Sequence, residues 1–280
     1  CTYCANHAMA RLSEGKYVRF RSPENIISEI KRLREDYPNI RRIYLEVETF
    51  GANRKASFAI FDALAELNST LETKIRFGIN LALTSNLMQN TTRIQETLRK
   101  ASAANIRSIN IGLESGSERM RKEVLIRPGY RNDELVEFCR AAKEWEIDII
   151  FFVLMGLPGE TVEDYKETIK TARRAQPRTC YVSIFFPYLG TDLASHAMHI
   201  GAIDQQSLVP RGERAHSVLD LPEFGRKRVR FEYIVFWWRV YHGYWSNGKI
   251  LANMIRSYLK AHSRAHATLV YLRDTNVFLR

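Results

Sequence analysis

Across its first 190 residues the chain alternates short apolar runs with amphipathic stretches, the pattern of repeated strand and crossover-helix units that build a parallel sheet. Strands are expected near residues 42–49, 74–80, 106–114, 147–155 and 180–187. Helix starts fall between them: Ser22-Pro23-Glu24 ahead of 25–35, Asn132-Asp133-Glu134 ahead of 135–145, and Thr161 with Asp164 ahead of 165–174. Five strands are present, and a unit whose first strand preceded Cys1 would supply a sixth. With Cys1 rather than Met as the first residue, the chain reads as a fragment.

Side chains alternate along a strand, and here the alternation separates two chemistries. Ile43, Leu45 and Val47 oppose Glu46 and Glu48; Ile75, Phe77 and Ile79 oppose Arg76, Gly78 and Asn80; Ile109, Ile111 and Leu113 oppose Ser108, Asn110, Gly112 and Glu114. The apolar set must meet the covering helices, so the polar set is expected to face the interior of the curved sheet. A closed eight-stranded barrel fills that interior with Val, Ile and Leu. Polar groups there are costly unless paired or bound to something, so a wide, ligand-holding lumen is expected. Carboxylates pairing with Arg76 or other bases as a purely structural network is the alternative.

Four cysteines are too few for a disulfide scaffold. The close pair Cys1 and Cys4 reads as metal or cofactor chemistry, while Cys139 and Cys180 read as small buried apolar residues. No stretch reaches the roughly 20 apolar residues of a membrane span, and a cytoplasmic protein is expected. After Thr191 the pattern changes. Residues 204–230 are weakly periodic, and 231–262 form an aromatic helical segment with Trp237, Trp238, Tyr241, Tyr244 and Trp245. The formal charge of +11 is concentrated in this tail: residues 206–280 hold 13 Lys/Arg against 5 Asp/Glu. Such a region meets nucleic acid, anionic lipid or an acidic partner, or is simply a solvated face.

Cys1-Thr2-Tyr3-Cys4-Ala5-Asn6-His7, sited where the first strand of a parallel barrel should end, resembles the later half of the C-x3-C-x2-C motif of the radical S-adenosylmethionine (SAM) superfamily, with Tyr3 as the aromatic before the last cysteine. The first cysteine of that motif would lie four positions before Cys1. Four further segments fall in order: Tyr44-Leu45-Glu46-Val47-Glu48, Asn110-Ile111-Gly112-Leu113-Glu114-Ser115, Met155-Gly156-Leu157-Pro158-Gly159-Glu160-Thr161 and Phe186-Pro187-Tyr188-Leu189-Gly190-Thr191. The resemblance covers about residues 1–192. It implies an α/β fold, a partial parallel (β/α)6-type TIM-like barrel lacking its first strand, spanning 1–200, with a mainly helical C-terminal extension over 201–280. It also implies a [4Fe–4S] cluster on Cys1 and Cys4 and SAM contacts from Tyr3, Glu48, Asn80, Glu114, Ser115, Arg127 and Pro187. Three thiolates leave one iron open to chelate SAM, whose reductive cleavage gives a 5′-deoxyadenosyl radical.

Cys4-Ala5-Asn6-His7-Ala8, Tyr17-Val18-Arg19-Phe20-Arg21-Ser22-Pro23 and Glu114-Ser115 resemble the cobalamin-binding branch. That resemblance implies methyl transfer or carbon-skeleton modification of a small-molecule or lipid substrate, an upstream cobalamin-binding domain, and an electron donor such as flavodoxin or ferredoxin. Nucleic acid is not the expected partner. The competing readings are methylthiotransferase-like modification of tRNA or protein and a non-catalytic barrel that grips RNA or an anionic membrane through Arg226, Lys227, Arg228, Arg230, Phe231 and Tyr233.

Overall fold

A computed structural model describes residues 1–127, 129–203 and 214–262, with the side chains of residues 47–49 outside the description. Part of the expected 204–230 loop and the last 18 residues therefore lie outside the described residues, as does Pro128.

The elements run α1 (Ala5–Leu12), α2 (Pro23–Asp36), β1 (Arg42–Phe50), α3 (Arg54–Ser69), β2 (Arg76–Leu81), α4 (Ser85–Met88), α5 (Thr91–Ala103), β3 (Ile106–Glu114), α6 (Asn132–Glu144), β4 (Asp148–Met155), α7 (Val162–Ala175), β5 (Thr179–Ile184), α8 (Asp192–His199), α9 (Arg226–Tyr241) and α10 (Asn247–Lys260). The five strands form one parallel sheet in sequence order, β1-β2-β3-β4-β5. This is the expected α/β arrangement, each strand within three residues of its predicted limits.

Local chemistry explains the starts. Ser22 caps α2 through Asn25 N with Pro23 at the first helical position, and Thr161 and Asp164 form a reciprocal capping box on α7. The sheet separates the two chemistries as the alternation requires. Ile75, Phe77, Ile79, Ile109, Ile111, Leu113, Phe151 and Val153 are at most 1% exposed and meet Leu64, Leu98, Leu135 and Phe138 from the helices. Burial of each such side chain stabilises the fold by roughly 1.5–3 kcal/mol, which fixes the strand register because a one-residue slip would expose the whole set.

The aromatic tail is two helices. The chain breaks at His242, and Gly243 adopts a left-handed φ of 100° that a side chain would strain. Val229, Tyr233, Phe236 and Val240 recur at helical spacing and are buried in the core. Tyr165 Oη donates to Glu232 O (3.3 Å) and Tyr241 Oη to Cys180 Sγ (3.2 Å), which ties α9 to α7 and β5. Tyr241 stacks on Trp245 with ring centroids 3.8 Å apart, and Trp237 stacks on Tyr241 at 5.7 Å. Arg228 and Arg239 converge on the buried carboxylate of Glu232 at 2.7 and 2.6 Å. Most of the tail aromatics are thus committed to packing, and Arg228 to an ion pair. Among the described residues no helix is long and apolar enough to cross a membrane.

Candidate active site

The inner face of the sheet has a polar half and an aromatic half. On the polar side the register sets Tyr44 beside Gly78, Gly78 beside Ser108, and Asn80 beside Asn110. A Cβ on Gly78 would lie 2.6 Å from both Ser108 Oγ and Tyr44 Cδ2, so only glycine lets the Tyr44 ring lie across β2. Tyr44 Oη donates to Asn80 Oδ1, and Asn80 Nδ2 donates to Glu46 Oε1 at 3.1 Å. Asn110 Oδ1 is buried without a partner.

The end of β3 carries the strongest electrostatics. Pairing with β4 shifts register between Gly112 and Glu114, and Glu114 takes φ 58°, a left-handed value rare for residues other than glycine. Its carboxylate accepts from Tyr3 Oη at 2.8 Å and lies 3.6 Å from Arg127 Nη1. Arg127 also donates to Tyr3 Oη (3.0 Å), to Gly112 O (2.7 Å) and, longest, to Cys1 Sγ (3.8 Å). The space is full: a Cβ on Gly112 would sit 2.5 Å from Glu114 Oε1 and 3.1 Å from Arg127. Burial pushes the Glu114 carboxyl up, against the pull of Arg127 and of the Tyr3 hydrogen bond. Burial and the charge of Glu114 together push the Tyr3 phenol up, so Tyr3 stays a donor at neutral pH.

The cysteine loop is docked onto this network. Thr2 N and Oγ1 donate to Leu125 O (3.2 Å) and Val124 O (2.7 Å), and Leu193 N at the start of α8 donates to Thr2 O (2.9 Å). Val124 ends a π-helical turn, Met120–Val124, that leads directly to Arg127. Buried Arg121 pins that turn by donating to Ser115 O (2.8 Å), Tyr130 O (3.1 Å) and Asn132 Oδ1 (2.9 Å). Cys1 and Cys4 are unbridged and half-buried.

Tyr3, Glu114 and Arg127 therefore meet, with Cys1 at the edge of their network. Asn80 lies in the neighbouring Tyr44–Glu46 cluster. Ser115 is fully buried and turns towards α7, its Oγ accepting from Ser117 N (3.2 Å) and lying 3.4 Å from Thr168 Oγ1. Pro187 is buried just beyond β5. The Glu48 side chain lies outside the described residues. Two participants have no single-residue signal in the sequence. One is Arg121. The other is Glu160, whose Oε2 accepts from Gly156 N (2.6 Å) and Leu157 N (3.1 Å) to close the turn after β4; the glycines of that segment announced the turn but not its carboxylate.

On the aromatic side, a cavity of about 220 Å³ opens beside Glu114 and Tyr3, lined by Phe152, Leu154, Tyr181 and Phe186. Phe152 and Tyr181, paired across β4 and β5, stack with centroids 5.5 Å apart. Charged and hydrogen-bonding groups thus border an apolar chamber at the carboxyl ends of parallel strands, where such sheets bind ligands.

The family model for the radical SAM superfamily matches residues 1–172, which takes in the cysteine loop, the first four strands and most of α7. The chain belongs to that superfamily. Among curated radical SAM relatives, it is 29% identical over 198 residues to a tRNA-2-methylthio-N(6)-dimethylallyladenosine synthase of Bacillus subtilis, covering 69% of this chain and 36% of that one. It is 25% identical over 278 residues to an uncharacterized methyltransferase of Pyrococcus horikoshii, covering 95% of this chain and 55% of the other. The chain therefore spans about half or less of the length of these relatives. Its fold is shared with the radical S-adenosylmethionine methyltransferase TsrM of Kitasatospora setae, solved with cobalamin and a [4Fe–4S] cluster, at a TM-score of 0.53 and 15% identity over 68% of this chain and 36% of that one. The expectation that nucleic acid is no partner gains nothing from these likenesses, since the Bacillus relative is named as a tRNA-modifying enzyme.

A [4Fe–4S] cluster fits the donors present in part. Cys1 and Cys4 are unbridged thiols, separated by two residues, at the mouth of the polar network, and suit two corners of a cluster. No group of three or more His, Cys, Asp or Glu that could hold a metal occurs among the described residues, so the described chain supplies two of the three thiolates the superfamily uses.

Proposed function

We propose that residues 1–200 form the radical-generating barrel of an enzyme that reductively cleaves one SAM and transfers the methyl group of a second, which leaves as S-adenosylhomocysteine, with residues 201–280 as a helical extension that shapes the substrate side. The observation that carries this reading is the docked Cys1–Cys4 loop, whose Tyr3 is built into the Glu114–Arg127 network beside an apolar cavity.

Cys1 and Cys4 would hold the cluster, which when bound supplies the electron that opens the SAM sulfonium bond. The protein supplies the rest. Tyr3 and Arg127 aim Glu114 and oppose the upward push of burial on its carboxyl, so that Glu114, with Glu48 and Asn80, can orient the polar end of SAM. Arg127 offers its cation to the SAM carboxylate. Ser115 anchors the end of β3 to α7, and Pro187 rigidifies the segment that borders adenine. Phe152, Leu154 and Tyr181 give the chamber an apolar wall on the side away from Glu114. The match across 95% of this chain to a relative named as an uncharacterized methyltransferase supports methyl transfer. A small-molecule or lipid substrate, cobalamin from an upstream domain and electrons from a flavodoxin or ferredoxin complete the proposal. A second reading, methylthio modification of tRNA, is favoured by the names of the B. subtilis relative and others like it.

The test is anaerobic SAM cleavage by the native polypeptide carrying this chain, reconstituted with iron and sulfide and reduced with dithionite. Formation of 5′-deoxyadenosine or S-adenosylhomocysteine that is lost in Cys4→Ala is expected. Equal product from both proteins would refute the assignment of Cys4.

A further inference from the structure

β5 is an edge strand, and behind it, between the sheet and the α9–α10 hairpin, lies a second cavity of about 530 Å³. It shares Phe152, Tyr181, Ser183 and Arg214 with the lumen cavity, so the two adjoin around the edge of the sheet. Its charge is one-sided. Arg256 and Lys260 line it, and no carboxylate among the described residues does.

Arg256 and Lys260 stand one helical turn apart on α10, and neither has an ion pair or hydrogen bond among the described residues. Like charges in this arrangement destabilise a helix, and the partial burial of Lys260 adds to the cost. The Lys260 ammonium is pushed down by that burial and by the charge of Arg256. A third donor completes the turn: Ser257 Oγ accepts from Trp237 Nε1 at 2.9 Å, which leaves its own O–H to donate. A guanidinium at position 256, a hydroxyl at 257 and an ammonium at 260, with no counter-ion among the described residues, are the donor set that suits a multiply charged oxyanion.

We infer that this cavity is a phosphate subsite: it holds the phosphate or diphosphate group of the substrate at Arg256, Ser257 and Lys260, while the rest of the molecule passes the edge of β5 into the lumen. This deepens the proposed reaction by naming the substrate class, a phosphate-bearing molecule with an extended apolar or aromatic body, and it rests on the lumen being the reaction chamber. The combined space, about 530 and 220 Å³, suits a small molecule rather than a polynucleotide.

Binding of inorganic pyrophosphate to the full chain, by calorimetry at low ionic strength, tests this without a cluster, so its failure is separable from failure of SAM cleavage. One saturable site is expected. Arg256→Gln and Lys260→Gln should each weaken it by roughly ten-fold or more, the loss expected for one charge-assisted hydrogen bond, while Lys31→Gln on distant α2 leaves it unchanged. Both cavity side chains are half-buried or exposed and each variant relieves the like-charge pair, so the variants should melt at or slightly above the wild-type temperature. Citrate, of similar charge but different geometry, should bind more weakly. Absence of saturable pyrophosphate binding, or equal weakening by Lys31→Gln, would overturn the proposal. So would single-stranded RNA that binds through Arg256 and Lys260 while pyrophosphate does not, which would make the surface a polynucleotide contact.

Discussion

Replacing Glu160 by Gln should change how the stability of this fold depends on pH. Glu160 is 1% exposed; its Oε2 closes the turn after β4 on Gly156 N and Leu157 N, and its Oε1 has no partner. Burial outweighs the two amide bonds and pushes its carboxyl up to about 8, from the ordinary 4.5. Between those two values the folded chain binds a proton that the unfolded chain does not. The stabilisation is therefore fully present below about pH 4.5, falls as pH rises, and levels off above about pH 8. Each unit is worth roughly 1.4 kcal/mol, so the loss across the window amounts to roughly 3–5 kcal/mol. Glutamine keeps an acceptor for both amides and has no proton to lose. Its amide N–H₂ lacks a partner where Oε1 lies, but the neutral acid carries the same defect, so the two proteins should agree within about 1 kcal/mol at pH 5. At pH 9 Glu160→Gln should be more stable by roughly 3 kcal/mol. The neighbouring charges do not confuse the comparison: Asp164 is held down to about 2 by Arg119, Ser117 and Thr161, and Arg119 stays cationic. Urea midpoints of both proteins at pH 5, 7 and 9 give the difference directly. Parallel stability curves across that range would refute the reasoning.

Two further outcomes follow from the site and the sheet. Arg127→Gln strands a buried carboxylate, so it should destabilise by roughly 3–5 kcal/mol, whereas the double variant Glu114→Gln/Arg127→Gln should recover part of that loss; a double-mutant cycle of urea unfolding with no coupling would sink the pairing. Gly116→Ala should destabilise strongly, because a Cβ there lies 2.6 Å from Glu167 O and closer still to the Thr168 backbone, while Gly248→Ala near the start of α10 meets nothing within 4 Å and should be neutral or stabilising by up to about 1 kcal/mol. The melting temperature should fall for Gly116→Ala and hold or rise for Gly248→Ala.

The sheet was legible because its signal is repeated: each strand carries three or more apolar residues at period two, and the Thr161–Asp164 cap is a local device written within four residues. Glu114 was legible as a polar residue facing the lumen, but its aim was not. That depends on a register shift at Gly112 and a left-handed φ that glutamate itself disfavours, both imposed by β4 and by the Arg127 loop. Arg121 was invisible for a related reason. Its three partners, Ser115, Tyr130 and Asn132, are six to eleven residues away along an irregular segment, and irregular segments have no period to read. The aromatic tail was read as one helical segment although Gly243 and Ser246-Asn247 carry ordinary break and cap signals; its dense aromatic content masked them.

The polar network has one consequence for any ligand of the lumen. Tyr3, Glu114 and Arg127 already satisfy one another, so a carboxylate that enters at Arg127 Nη1 or Nη2 must first take that nitrogen from Glu114, Tyr3 or Gly112 O. That exchange is not neutral, because Glu114 left alone is pushed further towards its protonated form and can then donate where it accepted. Two atoms nearby favour the exchange: Arg127 Nε and Asn110 Oδ1 are buried without partners, and each carries a desolvation cost of roughly 1–3 kcal/mol that a bound donor or acceptor would offset. A network complete at its centre and deficient at its margin should hold its shape when empty and still yield to a ligand that brings both a carboxylate and a donor. An α-amino acid group brings both. A simple carboxylate such as acetate, which cannot serve Asn110, should bind far more weakly, and equal affinity for acetate and for an amino-acid group would contradict this account of the site.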